Sequence, residues 1–233
     1  MLNRIVFVAL LAGALAGLIT SGLQQALVVP LIVAAEVYEN APEHHHGVNG
    51  ADEAAPAASA SPHKPASFDI RRAAITTVAT VGAAIGFTLM LLAVMQALGE
   101  TVTTATALAW AAAGFAVVGL APALGLAPEL PGSAAGDLNL RQLWWAGTVL
   151  ASAIGLWLMI RQRSTWALAL GVLLLAAPHV IGAPHPILLT STIPAELASA
   201  FVARSLAIQA IFWALIGAFA GYFWARGATG RFI

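Results

Sequence analysis

The sequence contains no cysteine among its 233 residues. This absence excludes disulfide bonds, a thiolate nucleophile and a zinc site built on thiolates. Any metal site must therefore use nitrogen, oxygen or thioether ligands.

Charge is also scarce. Charged residues make up 9% of the chain and hydrophobic residues 60%, and the mean hydropathy is +0.88. So little charge does not suffice to solvate the surface of an ordinary globular domain, and the composition therefore predicts a polytopic membrane protein in contact with the lipid bilayer. The formal net charge is zero and the basic residues are scattered, which argues against a nucleic-acid partner.

The motifs of several enzyme classes are missing as well. The chain has one lysine, Lys64, and no glycine-rich phosphate-binding loop, which argues against ATP hydrolysis. It has neither a zinc-protease helix motif nor a Gly-x-Ser-x-Gly turn, and Ser152 has no evident basic partner. We therefore predict that the protein is not an enzyme.

What the sequence does have is a series of long apolar runs. A membrane span needs about 20 apolar residues, and the six candidate runs are approximately 5–35, 72–98, 104–120, 143–160, 166–181 and 201–224. The first run is much longer than the apolar part of a signal peptide, so we interpret it as an uncleaved span. The predicted fold is an all-α polytopic membrane protein, a single membrane domain over residues 1–233. It is a bundle of five to six transmembrane helices, because the fifth run is short for a complete span.

Residues 36–70 differ from the rest of the chain, because they are rich in Ala, Pro, Ser, acids and histidine and have little to bury. We predict a disordered acidic and histidine-rich loop between the first and second helices. Three consecutive histidines follow Glu36, Glu39 and Glu43, whose spacing would place three carboxylates on one stripe of a helix. Such a set suits borderline divalent ions such as cobalt, nickel or zinc. The alternative is an ordinary solvated acidic loop.

Two proline-rich segments have the same spacing. Residues 121–131 (APALGLAPELP) and 177–186 (APHVIGAPHP) both read Ala-Pro, four residues, Ala-Pro, and then a potential ligand, Glu129 or His185. Proline lacks an amide donor, so each segment should end a helix near the membrane surface. Two spans separate the segments, which predicts that they lie on one face. Internal duplication and chance both remain open as the origin of this match.

The basic residues set the predicted orientation only weakly, because five fall on each side of the membrane. We favour a cytoplasmic N-terminus and C-terminus, since residues 161–164 (RQRS) form the tightest basic loop. The histidine-rich loop then lies outside, together with every other histidine. Within the spans, Gln24 and Gln25 are our candidates for a polar lining of the bundle.

The candidate metal ligands are the histidines and the acids predicted on this face. For His179 and His185 the alternative is a structural role near a helix C-terminus, where imidazole suits the helix dipole. The full set of predicted ligands is His44, His45, His46, His63, Glu36, Glu39, Glu43, Glu129, His179 and His185.

Several segments resemble the CbtA family, the predicted cobalt transporter subunit. They are the acidic end of the first span (AEVYE), the histidine-rich loop, GLAPALGLAPELPG with LRQLWWAGTVLASAIGL after it, and PHVIGAPHP. The resemblance covers nearly the whole chain. It implies cobalt uptake that supplies cobalamin synthesis, in the plasma (inner) membrane of a bacterium, with a small single-span, histidine-containing partner of the CbtB type. Family members are usually credited with five spans.

The leading functional hypothesis is a permease for a divalent transition metal. No cofactor is expected to be permanently bound; the expected cargo is Co²⁺, with nickel or zinc as alternatives. The competing hypothesis is a non-transporting membrane scaffold or a metal-sensing subunit of a transporter.

Overall fold

The computed structural model describes residues 1–39, 69–134, 136–162, 164–186 and 191–227. These residues form helices and connecting segments. The helices are α1 (Leu2–Leu27), α2 (Val29–Glu39), α3 (Ile70–Ala97), α4 (Thr104–Gly114), a π-helical segment (Phe115–Leu120), α5 (Ala121–Ala123), α6 (Leu138–Arg161), α7 (Thr165–Ile181) and α8 (Ala195–Gly227).

Five helical stretches in the described part of the chain are long and apolar enough to cross a membrane. They are α1, α3, the stretch from α4 to α5, α6 and α8. The apolar helix α7 is shorter, with 17 residues. It runs antiparallel to α6, because Gly171 contacts Gly155 and Pro178 contacts Trp144. The prediction of an all-helical bundle with five to six spans is confirmed.

The first predicted span is not one helix, because α1 ends at Leu27 and α2 begins at Val29. Pro30 has no amide proton to donate to the preceding turn and its ring crowds that turn, which explains the break. Helix α2 continues through Glu39, so residues 36–39, which we had included in the predicted loop, are helical. The spacing of Glu36 and Glu39 had correctly indicated a helical extension.

Short polar side chains start three of the helices. Asp69 accepts hydrogen bonds from the amides of Arg71 and Arg72 at the start of α3, and Asp137 accepts one from the amide of Leu140 at the start of α6. Thr103 and Thr106 form a reciprocal capping box at the start of α4. These caps satisfy amides that have no partner inside the helix.

The core is formed by α1, α3, α4 and α8, whose buried side chains make one cluster. Glycines allow these helices to approach closely: a Cβ atom at Gly13 would lie 2.5 Å from the Cα of Ile85, and one at Gly217 would lie 2.8 Å from the carbonyl oxygen of Ala107. The pair α6–α7 lies beside this core and contacts it through α5 and the π-helical segment.

The bundle has two distinct ends. At the terminal end, Arg4 donates a 2.6 Å hydrogen bond to the carbonyl oxygen of Trp224, so the two ends of the described chain meet. At the loop end, α2 ends at Glu39 and α3 begins at Ile70. Arg72 and Glu36 form an ion pair of 2.7 Å there.

Candidate functional site

Both proline segments lie at the loop end, as the sequence predicted, and they contact each other. Gly125 in the first segment lies against Ala183 in the second, and Gly136 lies against the carbonyl oxygen of His185. In each segment the first proline, Pro122 or Pro178, is inside a helix that ends within three residues.

Trp144 joins the two proline segments. Its indole Nε1 donates a 3.1 Å hydrogen bond to the carbonyl oxygen of Pro178, and its ring lies against Gly125. The ring of His179 meets the Trp144 ring edge to face, with 5.9 Å between the centroids. This ring contact places the His179 imidazole against α6 and is consistent with a structural role for it.

Two of the acidic candidates, Glu36 and Glu129, are paired with arginines. Glu129 and Arg141 form an ion pair of 2.6 Å between the first proline segment and the start of α6. Glu36 pairs with Arg72 across α2 and α3. Both carboxylates are candidate metal ligands by sequence, and the sequence did not predict that arginines pair with them. The signal for the Glu129–Arg141 pair was present, because Arg141 follows Glu129 at the start of the next helix.

The remaining candidates are placed as follows. His185 is exposed in the second proline segment, and Glu39 is the last residue of α2. Glu43, His44, His45, His46 and His63 lie outside the described residues, so their assignment as ligands stays a prediction.

No group of three or more His, Asp or Glu side chains that could hold a metal ion is found within the described ranges. A metal bound by Glu129 or His185 would therefore need further donors from water, from residues 40–68 or from another chain. Neutral imidazole and carboxylate oxygen nevertheless suit a borderline divalent ion.

A cavity of about 730 Å³ lies between α1, α3 and α8. It runs from the middle of the bundle to the loop end, where Ile32, Arg72 and Pro128 line it. Six neutral polar side chains line it: Thr20, Gln24, Thr76, Thr80, Ser205 and Gln209.

Of the two glutamines predicted to form a polar lining, one lines the cavity. Gln24 lines the cavity, and its Oε1 accepts a 3.0 Å hydrogen bond from Thr80. Gln25 does not line it, and its buried Nε2 has no hydrogen-bond partner among the described residues. Adjacent helical residues point about 100° apart, since a turn holds 3.6 residues, and this rotation turns Gln25 away from the side of α1 that lines the cavity. The prediction missed the other five polar lining residues, although Thr20 precedes Gln24 by one turn; they are Thr20, Thr76, Thr80, Ser205 and Gln209.

The comparison with protein families gives a match over nearly the whole chain. Residues 2–225 match the family model CbtA, described as a probable cobalt transporter subunit. No curated protein and no solved structure matches the chain. Together with the apolar helices, the family supports metal transport by a multi-pass membrane protein that works as a subunit. The chain belongs to the CbtA family.

Proposed function

We propose that the protein mediates uptake of Co²⁺ across the bacterial inner membrane and supplies it to cobalamin synthesis. In this proposal the loop end faces outward and the N-terminus is cytoplasmic. A small single-span, histidine-containing protein of the CbtB type is the partner. The family description supports cobalt as the cargo.

One observation carries the proposal. Three features lie together at the loop end: the flanks of the histidine-rich loop, both proline segments and the mouth of the cavity. An ion captured by His44, His45 and His46 would therefore be released beside the cavity. Imidazole binds metal in its neutral form and its ordinary pKa is about 6.5, so capture should weaken in more acidic medium.

Replacing His44, His45 and His46 together by Ala tests the capture step. We expect uptake of radioactive cobalt to fall at limiting cobalt and to recover at high cobalt, because the loop raises the local ion concentration. The double change Ser59→Ala and Ser61→Ala in the same loop is the matched control. Unchanged uptake by the histidine variant at limiting cobalt removes the capture role.

The two ion pairs at opposite ends test whether the loop end has a transport role. Glu129 pairs with Arg141 at the loop end, and Glu100 pairs with Arg161 at the terminal end at 2.7 Å. Exposed pairs contribute about 0–1 kcal/mol, so Glu129→Gln and Glu100→Gln should cost similar stability. Glu129→Gln should reduce cobalt uptake and Glu100→Gln should not. Equal uptake by both variants favours a non-transporting subunit.

A further inference from the structure

Thr20 is buried without a hydrogen-bond partner. Thr20 lines the cavity and is 1% exposed, and its buried Oγ1 has no hydrogen-bond partner among the described residues. The other fully buried threonines behave differently: Thr88 donates to the carbonyl oxygen of Ala84 and Thr148 to that of Trp144. A buried hydroxyl with no protein partner is costly unless water or a ligand satisfies it.

The cavity offers neutral oxygen and nitrogen atoms around this hydroxyl. Gln24 and Thr80 are bonded to each other, and Ser205 and Gln209 lie across the cavity on α8. Among the described residues that line the cavity, Arg72 alone is charged, and Glu36 pairs with it. These polar atoms can bond water molecules, although the other lining residues apart from Arg72 are apolar. The described lining offers no carboxylate or imidazole that would replace the water shell of a metal ion.

The volume is sufficient for a hydrated ion. Each water molecule occupies about 30 Å³, so a shell of six needs roughly 180 Å³. The cavity of about 730 Å³ leaves room for further water around such an ion.

Aromatic rings close the cavity toward the terminal end. Phe87 meets Trp213 with 5.2 Å between ring centroids and Phe212 with 6.0 Å. Gly114 lies against the Trp213 ring, where a side chain would collide with it. Below these rings lies the buried core that contains Leu92. Apolar constrictions of this kind stop the passage of ions when water is excluded from them.

We propose that this cavity is a water-filled vestibule, through which a divalent cation enters the bundle from the loop end with its water shell. The hydroxyl of Thr20 and the neighbouring polar side chains bond that shell. The rings of Phe87, Phe212 and Trp213 close the passage in the conformation of this structure. This inference rests on the proposed function, since it assigns the route that the transported ion takes.

The natural absence of cysteine makes the route directly testable. Ser205→Cys places a single thiol in the cavity, Thr192→Cys places one in the connection before α8 at the loop end, and Ala153→Cys places one on an exposed position of α6 away from the cavity. Each variant of the full chain is expressed with its partner subunit. A charged, membrane-impermeant methanethiosulfonate reagent is then applied to intact cells, and uptake of cobalt chloride is measured before and after.

We expect the reagent to label Ser205→Cys and Thr192→Cys but not Ala153→Cys. Labelling of Ser205→Cys should abolish most cobalt uptake, whereas labelling of Thr192→Cys should leave uptake largely intact. Absence of labelling at Ser205→Cys while Thr192→Cys is labelled would mean a dry or lipid-filled cavity and would overturn the inference. Labelling of Ser205→Cys with unchanged cobalt uptake would show that the cavity contains water but is not the route of the ion. Absence of cobalt uptake by the unmodified cysteine-free chain would instead overturn the proposed function and the route with it.

Thr20→Val tests the buried hydroxyl, because valine has nearly the same shape without the polar atom. Thr148→Val is the matched control, since Thr148 is also fully buried but lies on α6 outside the cavity. We expect Thr20→Val to lower cobalt uptake severalfold at unchanged protein level, and Thr148→Val to leave uptake per folded molecule unchanged. Equal uptake by the two variants contradicts a role for Thr20 in the vestibule.

Discussion

Trp144 holds the two proline segments together, so Trp144→Phe should weaken the loop end. The substitution removes the indole donor to the carbonyl oxygen of Pro178 and shortens the ring that lies against Gly125. The neighbouring Trp145 provides the matched control, because it is 41% exposed and Trp145→Phe removes the same atoms from an exposed position.

The magnitude follows from these contacts. A hydrogen bond of this kind contributes about 1 kcal/mol net, and the incompletely filled space behind the smaller ring adds roughly another 1 kcal/mol. For a chain of this size, 1 kcal/mol corresponds to about 2–4 °C in melting temperature. Trp144→Phe should therefore lower the melting temperature by roughly 4–8 °C. Trp145→Phe should change the stability by less than about 0.5 kcal/mol.

Thermal unfolding of the two variants in the same detergent checks the difference. Cobalt uptake is a second readout, because displacement of the second proline segment should move His185. Equal melting temperatures for Trp144→Phe and Trp145→Phe would refute the idea that Trp144 joins the two segments.

Three further predictions concern packing and stability. Gly13→Val should prevent assembly of the core, because a Cβ atom at this position would collide with α3. Gly82→Val should express normally, because no atom lies within 4 Å of a Cβ at that position. Equal expression of the two variants would contradict the close packing of α1 against α3. Arg4→Gln should lower the free energy of unfolding by about 1–3 kcal/mol, because Arg4 donates a hydrogen bond to the carbonyl oxygen of Trp224 and its guanidinium lies 4.2 Å from the centroid of the Trp224 ring. An unchanged melting temperature would contradict this stabilising role of Arg4. Thr20→Val should leave the melting temperature unchanged or raise it by the equivalent of about 1 kcal/mol; a lower value would mean that the hydroxyl has a structural partner.

Hydropathy predicted the helices well, because a membrane requires each spanning segment to satisfy its own backbone hydrogen bonds. The helix starts were also readable, as Asp69 and Asp137 show. The sequence does not say which face of each helix meets a neighbour. Gly82 and Gly86 are as small as Gly13 and Gly17, yet both face open space. The contacts at Gly13 and Gly17 depend on which helices are adjacent, and local sequence does not encode that.

The candidate site was predictable where spacing along the chain decides position. The two spans between the proline segments correctly placed Glu129 and His185 at one end. Contacts between distant parts of the chain were not predictable, as in the pairing of Arg72 with Glu36 and the 3.0 Å hydrogen bond from Arg204 to the carbonyl oxygen of Leu27. The cavity was not predictable for the same reason, because the residues that line it are up to about 190 positions apart in sequence.

The proposed uptake requires that the loop end, which collects the ion, faces outward. Labelling of single cysteines from one side of the membrane tests this orientation most directly. Single cysteines at Ala51 in the histidine-rich loop, at Thr192 at the loop end and at Thr101 at the terminal end are introduced into the cysteine-free chain. In intact cells an impermeant thiol reagent should label Ala51→Cys and Thr192→Cys, and it should label Thr101→Cys only after the membrane is opened. Labelling of Ala51→Cys and Thr192→Cys from opposite sides, or of both from the cytoplasm alone, would contradict the account.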